Sequence, residues 1–331
     1  MPIGRTEPVW HHYVPRTYLK HFCDGSGTVL VHAKDREFAP VRLHPKSTGA
    51  AKDFYTWERS DSKKDRQAFE QIFNDYAERH WNRLVRKFQA SEVLEVEDLE
   101  PLATFVCLQH ARVPAVRDGV EKRLAASVLE EVRSLHAAGK LPPLPAGLKI
   151  EDLSVPIDPS KSLETLEQGM DFARLAMNRV TFRVLHNDTV REFVTSDNPV
   201  VWFDPSTVNA NSFSPYLLAP GGPTVFILPV SPSICLYGSS TDEGYGWDPV
   251  RTEDLRQVDA INEMVVRFAH RWVYSRNEDI SDSVSRHQGI SPIVKEKTFV
   301  HPSGDSRKVW QWAFGAIGKK PRWRSSKQDD E

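Results

Sequence analysis

The spacing of apolar residues changes part-way along the chain, and that change restricts the fold more than any single motif. Between about residues 64 and 177 the apolar side chains recur every three or four positions, the period of a helix with one buried face. From about residue 180 they fall in short β-branched or aromatic runs separated by turn residues, the pattern of strands. Helices followed by strands predict an α+β fold, with a helical bundle portion packed on a mostly antiparallel sheet. The expected organisation is one domain over residues 1–318. Its helical portion spans about 60–180 and its strand-rich portion about 180–275, the two joined by N-terminal strands. Residues 319–331, basic then acidic and without an apolar period, read as a disordered tail.

Within that frame, Phe69, Ile72, Phe73, Tyr76, Leu84 and Phe88 predict one long helix over residues 64–88. Pro101 suits the first turn of a second helix, which carries Leu102, Phe105 and Val106 and is bent or ended by Pro114. A third helix is expected over 115–138, then a proline-rich surface connection, then a helix striped by Leu163, Leu166, Met170, Ala173 and Met177. Residues 28–33 read as an N-terminal strand. Residues 180–185 and 191–195 read as a hairpin around His186, Asn187 and Asp188, with further strands at 200–203, 224–229, 234–237 and 272–275. Thr252 is the expected N-cap of a helix reaching about His270.

With 40% hydrophobic and 27% charged residues among 331, the chain has the composition of a folded globular protein. A net charge of −2 gives no global attraction to nucleic acid or membranes, so any such contact must come from a local patch. No secretory leader and no run of about 20 apolar residues is present, which implies a soluble, cytoplasmic protein with no membrane partner. Cys23, Cys107 and Cys235 are odd in number and lack metal-site spacing, consistent with a reducing compartment.

Several features can carry chemistry. In His11-His12-Tyr13-Val14-Pro15 the proline favours extended backbone, so the two histidines face opposite ways and do not share one metal. Either His11 with Tyr13 or His12 with Val14 then faces a pocket. In Thr195-Ser196-Asp197-Asn198-Pro199 a sharp corner exposes Asp197 as a general base or cation ligand, or else Asp197 and Asn198 only bond nearby backbone. Polar residues His80, Gln109 and Asn262 interrupt apolar stripes, and buried polar groups must find partners in a network or a pocket. Arg112 and Arg117, around Pro114, can hold an anion through two parallel hydrogen bonds or form ordinary ion pairs. Finally Trp310, Trp312, Phe314 and Trp323 alternate with lysines and arginines, a combination that binds single strands or packs onto its own domain. Phosphate-binding loops, dinucleotide fingerprints, nucleophile elbows, zinc-protease helices and kinase signatures are absent.

The segments HHYVPRTYLKHF, DFYT, QHARVP, TSDNPV, FILPVSP and INEMVVRFAHRWVYS, in this order, resemble the domain-of-unknown-function family numbered 4238 from about His11 to Ser275. The positions matching its pattern are His11, His12, Pro15, Gln109, Arg112, Asp197, Asn198, Pro199 and Asn262. Where the family shows a glutamate near the end of its first long helix motif, this chain carries Asp75. The resemblance implies a mainly prokaryotic, cytosolic protein and passes on no catalytic role. The expected function is a hydrolase-like enzyme acting on a phosphate-bearing substrate, nucleic acid or a nucleotide. In it His11 or His12 is the acid/base and Asp197 a base or metal ligand, with or without a divalent metal. Arg112 would hold the anion while Gln109, Asn198 and Asn262 orient the substrate. The alternative is a non-catalytic module that binds an anionic ligand or a partner protein, in a defence or toxin-related system. Oligomeric state is left open.

Overall fold

The computed structural model describes residues 10–58, 64–65, 68–73, 75, 78–145, 147–210, 212–242, 247–300, 306–319 and 321. Its N-terminal part runs β1 (Trp10–His12), α1 (Arg16–Leu19), β2 (Val29–Ala33), β3 (Val41–Leu43), β4 (Ala50–Lys52), β5 (Trp57–Glu58) and β6 (Lys64–Asp65). Helices α2 (Ala68–Phe73), α3 (Arg79–Gln89), α4 (Val96–Ala111), α5 (Pro114–Ala137), α6 (Pro159–Leu163) and α7 (Leu166–Met177) follow. Strands β7 (Thr181–Asn187), β8 (Thr195–Ser196), β9 (Val201–Phe203), β10 (Val225–Ser231), β11 (Ile234–Ser239) and β12 (Asp248–Thr252) lead into α8 (Leu255–Phe268) and β13 (Trp272–Ser275). Helix α9 (Ser281–Arg286) and the ribbon β14 (Ile290–Val300) and β15 (Ser306–Ala316) end the described chain. The α+β class holds: a helical portion lies against sheets whose pairings are antiparallel except for β12 beside β7.

Two sheets dominate, one ordered β12-β7-β11-β10-β9 and the other β3-β2-β13-β8. Strand β8 belongs to the second and β9 to the first, so the corner at residues 197–200 is where the chain passes between sheets. Tyr18 helps hold this junction, its hydroxyl lying 2.6 Å from both the Thr195 hydroxyl and the Pro229 carbonyl. Around Tyr18 the apolar stripes of α3 and α4 meet, Trp81 stacking on Phe105 with ring centroids 4.0 Å apart. Helix α7 packs on α4 closely enough that a Cβ at Gly169 would lie 3.0 Å from that of Ala111.

Several expected elements are corrected. Residues 64–65 pair with β5 as a strand, and the helix expected from 64 begins at Ala68; between α2 and α3 the described residues Asp75 and Glu78 are in π-helical conformation. Ile72 is exposed rather than part of the buried stripe, while Phe73, Leu84 and Phe88 are buried. Pro101 lies inside α4, because the Asp98 carboxylate accepts the Glu95 N–H and starts the helix at Val96. The cap of α8 is Asp254, whose carboxylate accepts the Arg256 N–H at 2.9 Å; the Thr252 hydroxyl instead accepts the Asp254 N–H. No hairpin joins 180–185 to 191–195. Strand β7 pairs with β11 and β12, whereas Phe193 N–H bonds Pro232 and Thr195 joins the other sheet opposite Tyr274. The tail expected to be disordered lies, apart from Lys319 and Pro321, outside the described residues.

The C-terminal ribbon is an addition to the expected strands. It docks on α5 where Gly119 leaves room: a Cβ there would lie 2.6 Å from Val294 and 3.1 Å from Trp312. Phe314 continues the packing against Phe213 and Phe268, both at 5.2 Å between ring centroids.

Candidate functional site: a histidine-floored cavity

Pairing of β1 with β4 turns His11 inward and leaves His12 half-buried, the opposite facing that alternation requires. The His11 Nδ1 accepts the Tyr55 N–H at 2.9 Å, and the Tyr55 hydroxyl donates to the Arg112 carbonyl. Arg112 in turn donates through Nε and Nη2 to Gln109 Oε1 and through Nη1 to Glu78, while Gln109 Nε2 donates to the Tyr13 carbonyl. Three expected site residues, His11, Gln109 and Arg112, therefore share one network that ties the N-terminal segment to α4. Arg112 is 1% exposed and its guanidinium is engaged by protein acceptors, an arrangement that clamps the fold rather than presenting a fork to solvent. Arg117 is likewise engaged, by Ser162, Phe54 and Pro159.

The Asp197 corner is also buried. Its Oδ1 accepts the His270 N–H at 2.7 Å and its Oδ2 the Arg271 N–H at 2.8 Å. Burial pushes its pKa up from the ordinary carboxylate value, against the opposing pull of His270, the two backbone donors and Lys34. Asn198 Nδ2 donates to the Tyr216 hydroxyl and the Phe268 carbonyl. Asn262 accepts the Val194 N–H and donates to the Glu192 carbonyl, steering the chain into β8. From the opposite side Lys34 Nζ donates to the carbonyls of Val266, Arg267 and Ala269 at 2.6–2.8 Å, closing the open end of α8. Asp197 on the amides, with Lys34 and Asn198 on the carbonyls, fix the turn between α8 and β13, and His270 is the residue at that turn.

The His270 ring helps to line a cavity of about 460 Å³ between α5, the ribbon and the chain near residues 153–157. Its Nδ1 lies 2.9 Å from the Ser291 hydroxyl, which orients the ring. Its Nε2 lies 3.5 Å from Asp118 Oδ2 and forms no hydrogen bond, although the residue is only 2% exposed. Asp118, Glu121 and Lys122 occupy one face of α5 by their three- and four-residue spacing and supply the polar part of the lining. The remaining walls are largely apolar, with Val155, Ile293 and Trp310 among them. A buried imidazole beside a carboxylate, at the end of an apolar cavity, can exchange a proton with a bound molecule or hydrogen-bond to it.

Residues 10–279 match the family model described as "Protein of unknown function (DUF4238)". The chain belongs to this family. No curated protein and no solved structure matches it. The DUF4238 match contains the His11 network, the Asp197 corner, Asp118 and His270, but stops before Ser291 and the ribbon that completes the cavity. Of the expected site residues, Asp197 stands directly behind His270 and Asn198 beside it, whereas His11, Gln109 and Arg112 form the N-terminal clamp and Asn262 braces β8. His270 and Lys34 are absent from the sequence-based site: each follows a mostly apolar stretch and is itself followed by a charged residue, Arg271 and Asp35, which marks neither as a site residue. Trp312 and Phe314 pack on the chain's own core, Trp312 lying 5.1 Å from Tyr216. Among the described residues no helix is long and apolar enough to cross a membrane, and no three His, Cys, Asp or Glu side chains are grouped to hold a metal ion.

Proposed function

We propose that this DUF4238 protein binds a small molecule with an apolar body in the cavity between α5 and the C-terminal ribbon, and that His270 is the group that recognises it. The observation that carries this reading is the His270 Nε2, buried, without a hydrogen-bond partner and bordering a cavity of ligand size. Ser291 holds the ring from the far nitrogen, and Asp197 holds the backbone beneath it. In this reading Asp197 is a positioning residue and Arg112 takes no part in recognition.

A hydrolase-like activity in the same cavity is the second reading, favoured by the 3.5 Å approach of Asp118 to His270. There His270 would take a proton from water and Asp118 would stabilise the imidazolium that results. A phosphate-bearing substrate would find its cations in Lys122 and Lys319, which border the cavity. The three free cysteines suit a cytoplasmic setting for either reading.

A thermal-shift screen over nucleotides, phosphomonoesters and apolar acids and amines tests the proposal. Compounds that raise the melting temperature of the wild type are expected to lose that effect in His270→Gln. Hits that stabilise both proteins equally place binding elsewhere. Turnover of a hit, abolished in His270→Gln, separates the enzyme from the binder.

A further inference from the structure

With the His270 cavity as the binding site, on which the assignment rests, we infer that the ligand is an aliphatic amine: a protonated amino group held by His270 and Asp118, on an extended apolar chain. The decisive side chain is the buried Ser291. Its hydroxyl has one hydrogen, which it donates to the Pro292 carbonyl at 3.2 Å, and the same oxygen lies 2.9 Å from His270 Nδ1. Nδ1 must then carry the ring hydrogen and give it to Ser291, which leaves Nε2 of the neutral ring as a lone pair. A hydrogen on Nε2 would in any case find no acceptor, because Asp118 Oδ2, 3.5 Å away, forms no hydrogen bond with it. The enclosed end of the cavity thus presents an imidazole acceptor and a carboxylate side by side. Such a pair calls for a donor.

The placing of charge selects among donors. Asp118 and Glu121 are partly buried, whereas the cations of the lining, Lys122 and Lys319, are exposed. The enclosed end is therefore the negative one, and a carboxylate or phosphate head there would meet like charge. An ammonium brings three donors and the opposite charge. The body of the ligand is set by α5. The lining follows one stripe of that helix from Ala115 through Asp118, Lys122 and Ala125 to Leu129, about 20 Å at about 1.5 Å per residue. A cavity of about 460 Å³ drawn out over that length, with Val155 and Ile293 on its other walls, is narrow and apolar. It suits an alkyl chain better than a nucleotide.

Octylamine, octanol and octanoic acid share one apolar chain and differ in the head. Their affinities are to be measured by isothermal titration calorimetry on wild type, His270→Gln and Asp118→Asn. Octylamine is expected to bind at least about tenfold more tightly than octanol, since its donor is charged, and octanoic acid at least about tenfold more weakly than octanol. Asp118→Asn should bring octylamine to within about twofold of octanol and leave octanol as it was, and His270→Gln should weaken both. The wild type alone gives a second readout that does not depend on how the variants fold. The ring-nitrogen NMR resonances of His270 should show a hydrogen on Nδ1 and none on Nε2 at neutral pH, and the Nε2 signal should move when octylamine is added. A hydrogen on Nε2, octanoic acid binding more tightly than octylamine, or no binding of octylamine would each overturn the amine assignment. The cavity reading falls separately, if ligands of every head group ignore His270→Gln.

Discussion

Asp197 reaches His270 through the backbone: its Oδ1 accepts the His270 N–H at 2.7 Å while Oδ2 takes the neighbouring Arg271 N–H at 2.8 Å. The carboxylate that stands out in the sequence thus acts on the turn that carries the imidazole. Asp197→Asn keeps the shape but turns an NH2 toward one of the two N–H groups. A buried hydrogen bond to a charged group is worth roughly 1.5–3 kcal/mol, so stability to urea should fall by about that amount. Cavity ligands should weaken with it. An unchanged midpoint would show that the carboxylate does not hold the turn.

Lys34→Met should be at least as costly. It removes all three donors from the carbonyls of Val266, Arg267 and Ala269 and leaves them buried. A loss of about 3 kcal/mol or more is expected, read by chemical denaturation. Hydrogen exchange should locate the loosening at the C-terminal turn of α8.

Gly119→Val should separate the ribbon from α5. The first added atom already lies 2.6 Å from Val294, so either the helix or the ribbon must move. Overpacking of this kind costs about 1–3 kcal/mol. Because the ribbon forms one wall of the cavity, ligands of the His270 site should be lost even where the fold survives, which thermal shift will detect.

Acid should destabilise the protein partly through His110. This ring is fully buried beside Trp202 and Tyr216, and burial alone holds its pKa down at about 3. An unfolded histidine titrates near about 6.5, so the folded form resists a proton that the unfolded form accepts. The stabilisation is complete above about pH 6.5 and drains away as pH falls toward 3, at up to about 1.4 kcal/mol per pH unit. His110→Phe should remove one proton's worth of that slope in urea titrations between about pH 6 and 4. An identical slope would assign the acid sensitivity to other groups, such as His32, whose pKa burial lowers to about 4.

The helices are legible in the sequence where one face is buried along most of its length, as in α4, α7 and, beyond the exposed Leu255, α8. The inter-sheet corner is legible because Asp197, Asn198 and Pro199 together form a dense turn signal. Two things hide the rest. The stretch at 180–195 looks like a hairpin, but its second half is drawn to the other sheet by Asn262 and Tyr274, partners far away in sequence. In the ribbon, Lys295, Glu296, Lys297 and Thr298 are exposed directly after the buried Val294, so the first strand shows no sustained apolar alternation. His270 is invisible as a site residue for a related reason: Ser291, Asp118 and Asp197, which give it its setting, come from three distant parts of the chain.

The most direct measurement is ligand-induced thermal stabilisation, run side by side on wild type, His270→Gln and Arg112→Lys. Ligands of the wild type should lose their effect in His270→Gln and keep it in Arg112→Lys, whatever the baseline melting temperature of each variant. Ligands that depend on Arg112 and ignore His270 would contradict the assignment and return the site to the N-terminal network.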